Sequence, residues 1–258
     1  MLTDLEQFTK QNFPDVGTFD YAIEPIDKEI ATGGIAAYFN IPALDGTTPQ
    51  QIRVNTTSTE VDVQSLSTFS TVAHEGFPGH MYQMRYAYQH IQEPYRNGLA
   101  SFSGYTEGYA TYVEFLALDY LTDVDESVRQ LETRMGIFEH CLTALMDIGI
   151  HYDGWSKADL RTFFIQNGLN TDVVDVLYDQ LQANPGAFLP YYVGHMQFMR
   201  LRTEAETALG EQFDEKAFHA AILASGSAPF EVVERHVQAY IRQTKADKAL
   251  LCRQQPAA

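Results

Sequence analysis

The residues best suited to chemistry lie in Ala73-His74-Glu75-Gly76-Phe77-Pro78-Gly79-His80. Imidazole nitrogen is a ready zinc ligand. A glutamate beside the first ligand can take the proton of a water held by the ion. Helical zinc hydrolases usually set their two histidines at i and i+4, so both rings share one face. Here the second histidine stands at i+6. Six residues turn an ideal helix through roughly 600°, which leaves the rings about 240° apart. An unbroken helix would point them away from each other. Two readings follow. Either this is a helix end with two incidental histidines, or Pro78-Gly79 interrupts the helix and two extra residues bulge out, returning His80 to a shared metal. A Pro-Gly pair in mid-helix is costly, and such irregularities concentrate at functional sites.

A third ligand has to come from another segment. Tyr105-Thr106-Glu107-Gly108-Tyr109-Ala110-Thr111-Tyr112-Val113-Glu114 offers Glu107, with Glu114 seven residues on and on the same helical face. The flanking Tyr109, Ala110 and Tyr112 are apolar or aromatic. An acidic residue on an otherwise buried helix needs a partner, and a metal is one. The plain alternative is two glutamates on a solvated face.

The elements that must carry these residues fall into two stretches. Asp20–Ile23, Ile35–Ile41 and Gln51–Asn55 are short and β-favouring, punctuated by Pro25, Pro42, Gly46 and Pro49. With an Asp45-Gly46 turn signal, they predict a small antiparallel sheet. From about Leu66 the pattern is helical. Ser65–Tyr88 is one candidate, bent at Pro78-Gly79, and Thr106–Leu121 is a second. Val128–Gly149 is a third, with Leu131, Met135, Phe138, Leu142, Leu145 and Ile148 at helical spacing. Ser156 and Asp159 form a capping-box pattern, and Thr171 is a candidate cap for the next helix. Pro190–Leu209 is stopped by Gly210. Asp214 caps a helix ending near Gly226, and Pro229 opens a last one running to about Thr244. The fold class is mainly α, one domain over 1–258, with a β-containing segment at 1–65 and a helical body at 66–258.

Composition excludes several functions. The 258 residues carry 17 basic and 34 acidic side chains, a formal charge of -17. That disfavours a nucleic-acid backbone or an anionic membrane as partner. No apolar run is long enough to span a bilayer, and residues 1–13 lack the apolar core of a signal peptide. Two distant cysteines, Cys141 and Cys252, exclude a disulfide framework or a cysteine-rich zinc site.

Four ordered blocks, AHEGFPGHMYQ, GYTEGYATYVE, DIGIHYDGW and YYVGHMQFMRLRTEAETALGEQFDEKAFH, resemble those of the DUF885 family over nearly the whole chain. These are bacterial proteins similar to zinc metallopeptidases. Their catalytic part resembles the helical zincins, such as thermostable carboxypeptidase and thimet oligopeptidase. The resemblance implies a helical zincin-like catalytic domain binding Zn2+. His74, His80 and Glu107 would be the ligands and Glu75 the general base. Glu114 would hold a ligand histidine by its other nitrogen. Tyr191, or failing that His151, would steady the oxyanion. The plain alternatives are an aromatic packed in the core and a histidine at a helix C-terminus. Arg202, with Arg200, is a candidate fork for a substrate carboxylate, against ordinary pairing with Glu204 or Glu206. Three positions depart from the family pattern. Met81 replaces a second histidine, Tyr109 a tryptophan, and Tyr192 the lysine of a Tyr-Lys pair that would contact substrate. His90, His140, His195, His219 and His236 carry no supporting pattern and read as structural or exposed.

The expected activity is hydrolysis of peptide bonds, of carboxypeptidase or oligopeptidase type. The alternatives are a non-catalytic peptide- or protein-binding pseudo-enzyme of the same fold, or a hydrolase of non-peptide amides. Family chains are longer, and this one resembles their C-terminal half, so a missing N-terminal half or a second copy is expected to complete the substrate cleft. Many family members are exported or lipid-anchored.

Overall fold

The computed structural model describes residues 2–31, 35–44, 48–56, 62 and 65–254. The expected Asp45-Gly46 turn lies outside them. In chain order the helices are α1 (Leu2–Asn12), α2 (Leu66–Glu75), α3 (His80–His90), α4 (Pro94–Leu99), α5 (Ser103–Asp119), α6 (Glu126–His151), α7 (Lys157–Gln166), α8 (Val174–Ala183), α9 (Leu189–Leu209), α10 (Glu215–Leu223) and α11 (Phe230–Gln254). Strands β1 (Tyr21–Pro25), β2 (Ala37–Asn40) and β3 (Gln50–Val54) precede α2. The fold is predominantly α. Among the described residues no helix is long and apolar enough to cross a membrane.

The sheet is mixed rather than antiparallel. Its order is β1-β3-β2, with β3 parallel to β1 and antiparallel to β2. The β2–β3 connection is short enough for an antiparallel return. The β1–β2 connection crosses to the far side of β3 and so leaves β1 parallel to it. β2 is therefore an edge strand.

One large core takes Leu5, Phe8 and Phe13 from the N-terminus, Ile52 from the sheet, and apolar faces of α2, α3, α5, α9, α10 and α11. The N-terminal segment is thus built into the helical body. Helix α1 has no counterpart in the sequence reading. Its apolar stripe is only Leu2, Leu5 and Phe8 in an otherwise polar run. A second cluster joins α6, α7 and α8 through Met146, Ile150, Leu160, Phe164, Val174 and Leu181.

The capping box at Ser156 and Asp159 is present on α7, and Asp214 caps α10. Asn170, not Thr171, supplies the cap before α8. Gly210 ends α9 with a positive φ. On α6 the apolar spacing gives a helix, but Leu131, Met135, Phe138, Leu145 and Ile148 are exposed. The buried face of α6 is instead made by Ala144, Met146, Gly149 and Ile150.

Candidate metal centre

The helix break expected at Pro78-Gly79 is real and tight. Helix α2 ends at Glu75 and α3 begins at His80. The Gly79 amide donates to the Ala73 carbonyl at 3.0 Å, and the Tyr82 amide reaches the Gly76 carbonyl at 3.2 Å. A Cβ on Gly79 would stand 1.8 Å from the His74 carbonyl oxygen. The turn can close this far only with glycine there. The buried Tyr109 of α5 donates its hydroxyl to the Pro78 carbonyl at 3.1 Å, fixing the turn from below. The turn brings the two imidazoles together, 4.8 Å between ring centres and nearly perpendicular.

Helix α5 supplies the acids. Ten of its 17 residues are buried, so its two site glutamates sit on a helix enclosed by others. Gly108 meets Gly194 of α9 so closely that a Cβ on Gly108 would fall 2.4 Å from the Gly194 Cα. This crossing lets α9 approach α5 and sets Tyr191 beside Glu107. The glycine after Glu107 thus serves helix packing rather than chemistry.

Glu107 Oε2 lies 3.5 Å from His74 Nε2 and 3.4 Å from His80 Nε2. A tetrahedral ion with bonds of about 2.0–2.1 Å spaces its ligands about 3.3–3.4 Å apart. Both separations from Glu107 match that spacing. On its other side, His74 Nδ1 meets Glu114 Oε2 at 3.0 Å. With the Nδ1 proton donated to Glu114, Nε2 presents its lone pair to the site.

Ligand-capable atoms of His74, Glu75 and His80 also lie within 4.8 Å of one another, so Glu75 competes with Glu107 for the third position. Glu107 Oε2 is the oxygen that touches both imidazoles. Glu75 Oε2 instead accepts the Phe39 amide of β2 at 2.8 Å. Phe39 pairs with Ile52 of β3, and the free edge of β2 holds the carboxylate beside the cluster.

The electrostatics favour a cation. Burial pushes the His74 imidazolium down. Hydrogen bonds donated to the Glu107 and Glu114 carboxylates outweigh that and carry its pKa up to about 10. Burial raises Glu107, but His74 and His80 more than reverse it and hold the carboxyl well below its usual range. Tyr191 stacks between His74, at 6.0 Å, and His140, at 5.6 Å. Burial and the neighbouring Glu107 charge push its phenol up, so it remains a proton donor at neutral pH. His140, half-buried and stacked on it, is pushed down by desolvation. Tyr191, Glu75, His80 and Glu107 line one cleft of about 660 Å3.

Three expected site residues are elsewhere. His151 Nε2 meets the Leu181 carbonyl at 2.9 Å and Asp147 at 3.6 Å, tying α6 to α8. The block around it is structural. Asp147 is buried and accepts the Gly186 amide, and a Cβ on Gly149 would strike the Trp155 ring. Arg202 is held by Glu206 at 2.8 Å, Glu215 at 2.9 Å and the Tyr112 hydroxyl at 2.8 Å, away from the cleft. Tyr192 bonds to Cys141 and lines a separate apolar groove between α6 and α9. Arg200, its neighbour there, pairs with Glu234 at 3.0 Å and Glu204 at 3.5 Å. Sequence reasoning missed the Phe39 amide, the Tyr109 hydroxyl and the His140 stack. Only Tyr109 carried a signal, as the residue next to the motif glycine.

The comparisons agree with this picture at the level of fold. The family model described as "Bacterial protein of unknown function (DUF885)" matches residues 1–237, and the chain belongs to that family. Its fold is similar to the crystal structure of "the putative lipoprotein from Colwellia psychrerythraea", with a TM-score of 0.82 and 23% identity over 94% of this chain and 41% of the other. It is also similar to "a putative lipoprotein of unknown function from Shewanella oneidensis", with a TM-score of 0.71 and 17% identity over 91% and 43%. The chain spans less than half the length of either. No curated protein matches it.

Proposed function

We propose that the chain carries the metal centre of a zinc-dependent hydrolase that cleaves peptide bonds. The observation that carries this reading is the meeting of His74 Nε2 and His80 Nε2 on one Glu107 oxygen at 3.5 and 3.4 Å. Those three residues would hold the ion, and Glu114 fixes the tautomer of His74. A bound zinc ion supplies a Lewis acid that acidifies water and polarises a carbonyl.

The chain's own groups do the rest. Glu75, oriented by the Phe39 amide, takes a proton from the attacking water. The water oxygen bonds to the carbonyl carbon. The Tyr191 hydroxyl, which stays protonated, donates to the developing oxyanion. The C–N bond then breaks, and Glu75 passes its proton to the leaving nitrogen. A peptide is the favoured substrate because the edge strand β2 borders the cleft and extended chains pair with such edges.

Glu75→Gln tests the mechanism. The variant should keep stoichiometric zinc and lose hydrolysis of a peptide library by at least about a hundredfold, the lower end for a general base. Full activity in it would refute the role of Glu75. Zinc binding by the unmodified chain with no cleavage of any peptide would favour the non-catalytic peptide-binding alternative.

A further inference from the structure

The cleft that holds the cluster extends beyond it, and its far end has a different chemistry. Helix α3 forms the floor. His80, Gln83, Met84 and Ala87 line the cleft, at helical spacings that keep one face turned to it. From His80 to Ala87 the helix rises about 10 Å. Beyond stand α4 and the loop 225–227. Arg96 of α4 is the sole Arg or Lys among the described residues lining the cleft. Its Nη2 donates to the Ser225 carbonyl at 2.6 Å, and its Nη1 stands 3.6 Å from Glu93. A guanidinium has five N–H donors, so these two contacts leave it donors to spare. Its side chain is about one-third exposed, at 36%. Leu44 packs against Gly98 of α4, where a Cβ would lie 2.8 Å from Leu44 Cδ1, and both line the cleft.

A cleft with hydrolytic groups at one end and one guanidinium at the other measures its substrate. In this acidic chain, a guanidinium anchored by a backbone carbonyl, with donors left beyond its Glu93 contact, suits an anionic group. An extended peptide advances about 3.3 Å per residue, so the 10 Å floor spans about three residues. We infer that Arg96 receives the free C-terminal carboxylate of the peptide. The chain would then remove a short C-terminal piece of about three residues, not cut within long chains. This rests on the hydrolase reading above and names the substrate class of the same site.

Binding and turnover separate the two ideas. In the Glu75→Gln background, a peptide with a free C-terminus should bind about tenfold more tightly than its C-terminal amide, a typical effect for a charge-assisted contact that is partly exposed. Arg96→Gln should abolish that preference while leaving affinity for the amide unchanged. Arg96→Lys should keep part of it. Zinc content and melting temperature, unchanged in both variants, exclude misfolding. Mass spectrometry of digests by the unmodified chain should show released fragments of about three residues. Equal affinity for acid and amide, no binding of either, or a preference that survives Arg96→Gln overturns the proposal. A preference that depends on Arg96, with no turnover of any peptide, retains the carboxylate site and refutes the hydrolase reading.

Discussion

Two buried histidines in this molecule behave in opposite ways. His74 lies between the carboxylates of Glu107 and Glu114, which lift its pKa to about 10. His219 is fully buried between the Tyr112 hydroxyl at 2.9 Å and the Asn12 carbonyl at 2.7 Å, stacked on Phe13. Burial, helped by the nearby Arg202 and opposed by the Asn12 hydrogen bond, drives its pKa down to about 3. Burial opposes charge at both sites. What differs is the partner set. His219 has neutral dipoles that knit α1, α5 and α10 together. His74 has two acids and a second imidazole, a set that a cation satisfies and a neutral ring does not. One pocket is built to stay neutral and the other to hold positive charge.

Breaking the acid side of that contrast should give the largest effect. Glu107→Gln removes the one oxygen that touches both imidazoles and should abolish tight zinc binding, read by metal analysis after dialysis. His219→Gln, in the neutral pocket, should leave zinc content unchanged. Glu114→Gln should act less, because it alters only the hydrogen bond behind His74. Loss of such a partner typically weakens metal affinity by about 10–100-fold, measured by competition with a chromophoric chelator.

The smallest effect is on stability against pH. Unfolded histidine titrates near 6.5. Folded His219 titrates near about 3, and His195, likewise pushed down by burial, near about 4. The unfolded state therefore binds more protons below 6.5. This stability is fully present above pH 6.5 and falls as the pH drops toward 3, by up to about 1.4 kcal/mol per pH unit for each group. Urea midpoints between pH 6.5 and 5, where carboxylates are largely ionised in both states, should fall, and His219→Gln should flatten the slope. With metal chelated, His74 acts in the opposite sense. Its contribution is full below 6.5 and is lost as the pH rises toward 10.

The sequence carried the site's chemistry better than its surroundings. His74, His80, Glu107 and Glu114 were legible because local spacing holds them, and the i+6 interval itself announced the turn that Gly79 permits. The Phe39 amide was not, because it is a backbone donor on a strand 36 residues away. Arg96 was not, because only the packing of α4 against Leu44 and Ser225 sets it on the cleft. The blocks around His151 and Arg202 looked functional for the same reason that they are structural. Asp147, Gly149 and Trp155 bind one unit together, and Arg202 links α5, α9 and α10 through Tyr112 and Glu215. Motif density marks constraint, and geometry is needed to tell a ligand from a brace. The exposed α6 stripe shows the matching limit of periodicity. Spacing predicts the helix but not which face is covered, and the solved relatives are more than twice as long as this chain.

The central claim is that His74, His80 and Glu107 form a metal centre. Zinc quantification on the purified chain, beside Glu107→Gln, tests it most directly. The account predicts one zinc per chain in the unmodified protein, retained through dialysis, and none in the variant. An unmodified chain that takes up no zinc when supplied with it, or a variant that binds as well as the parent, would contradict it.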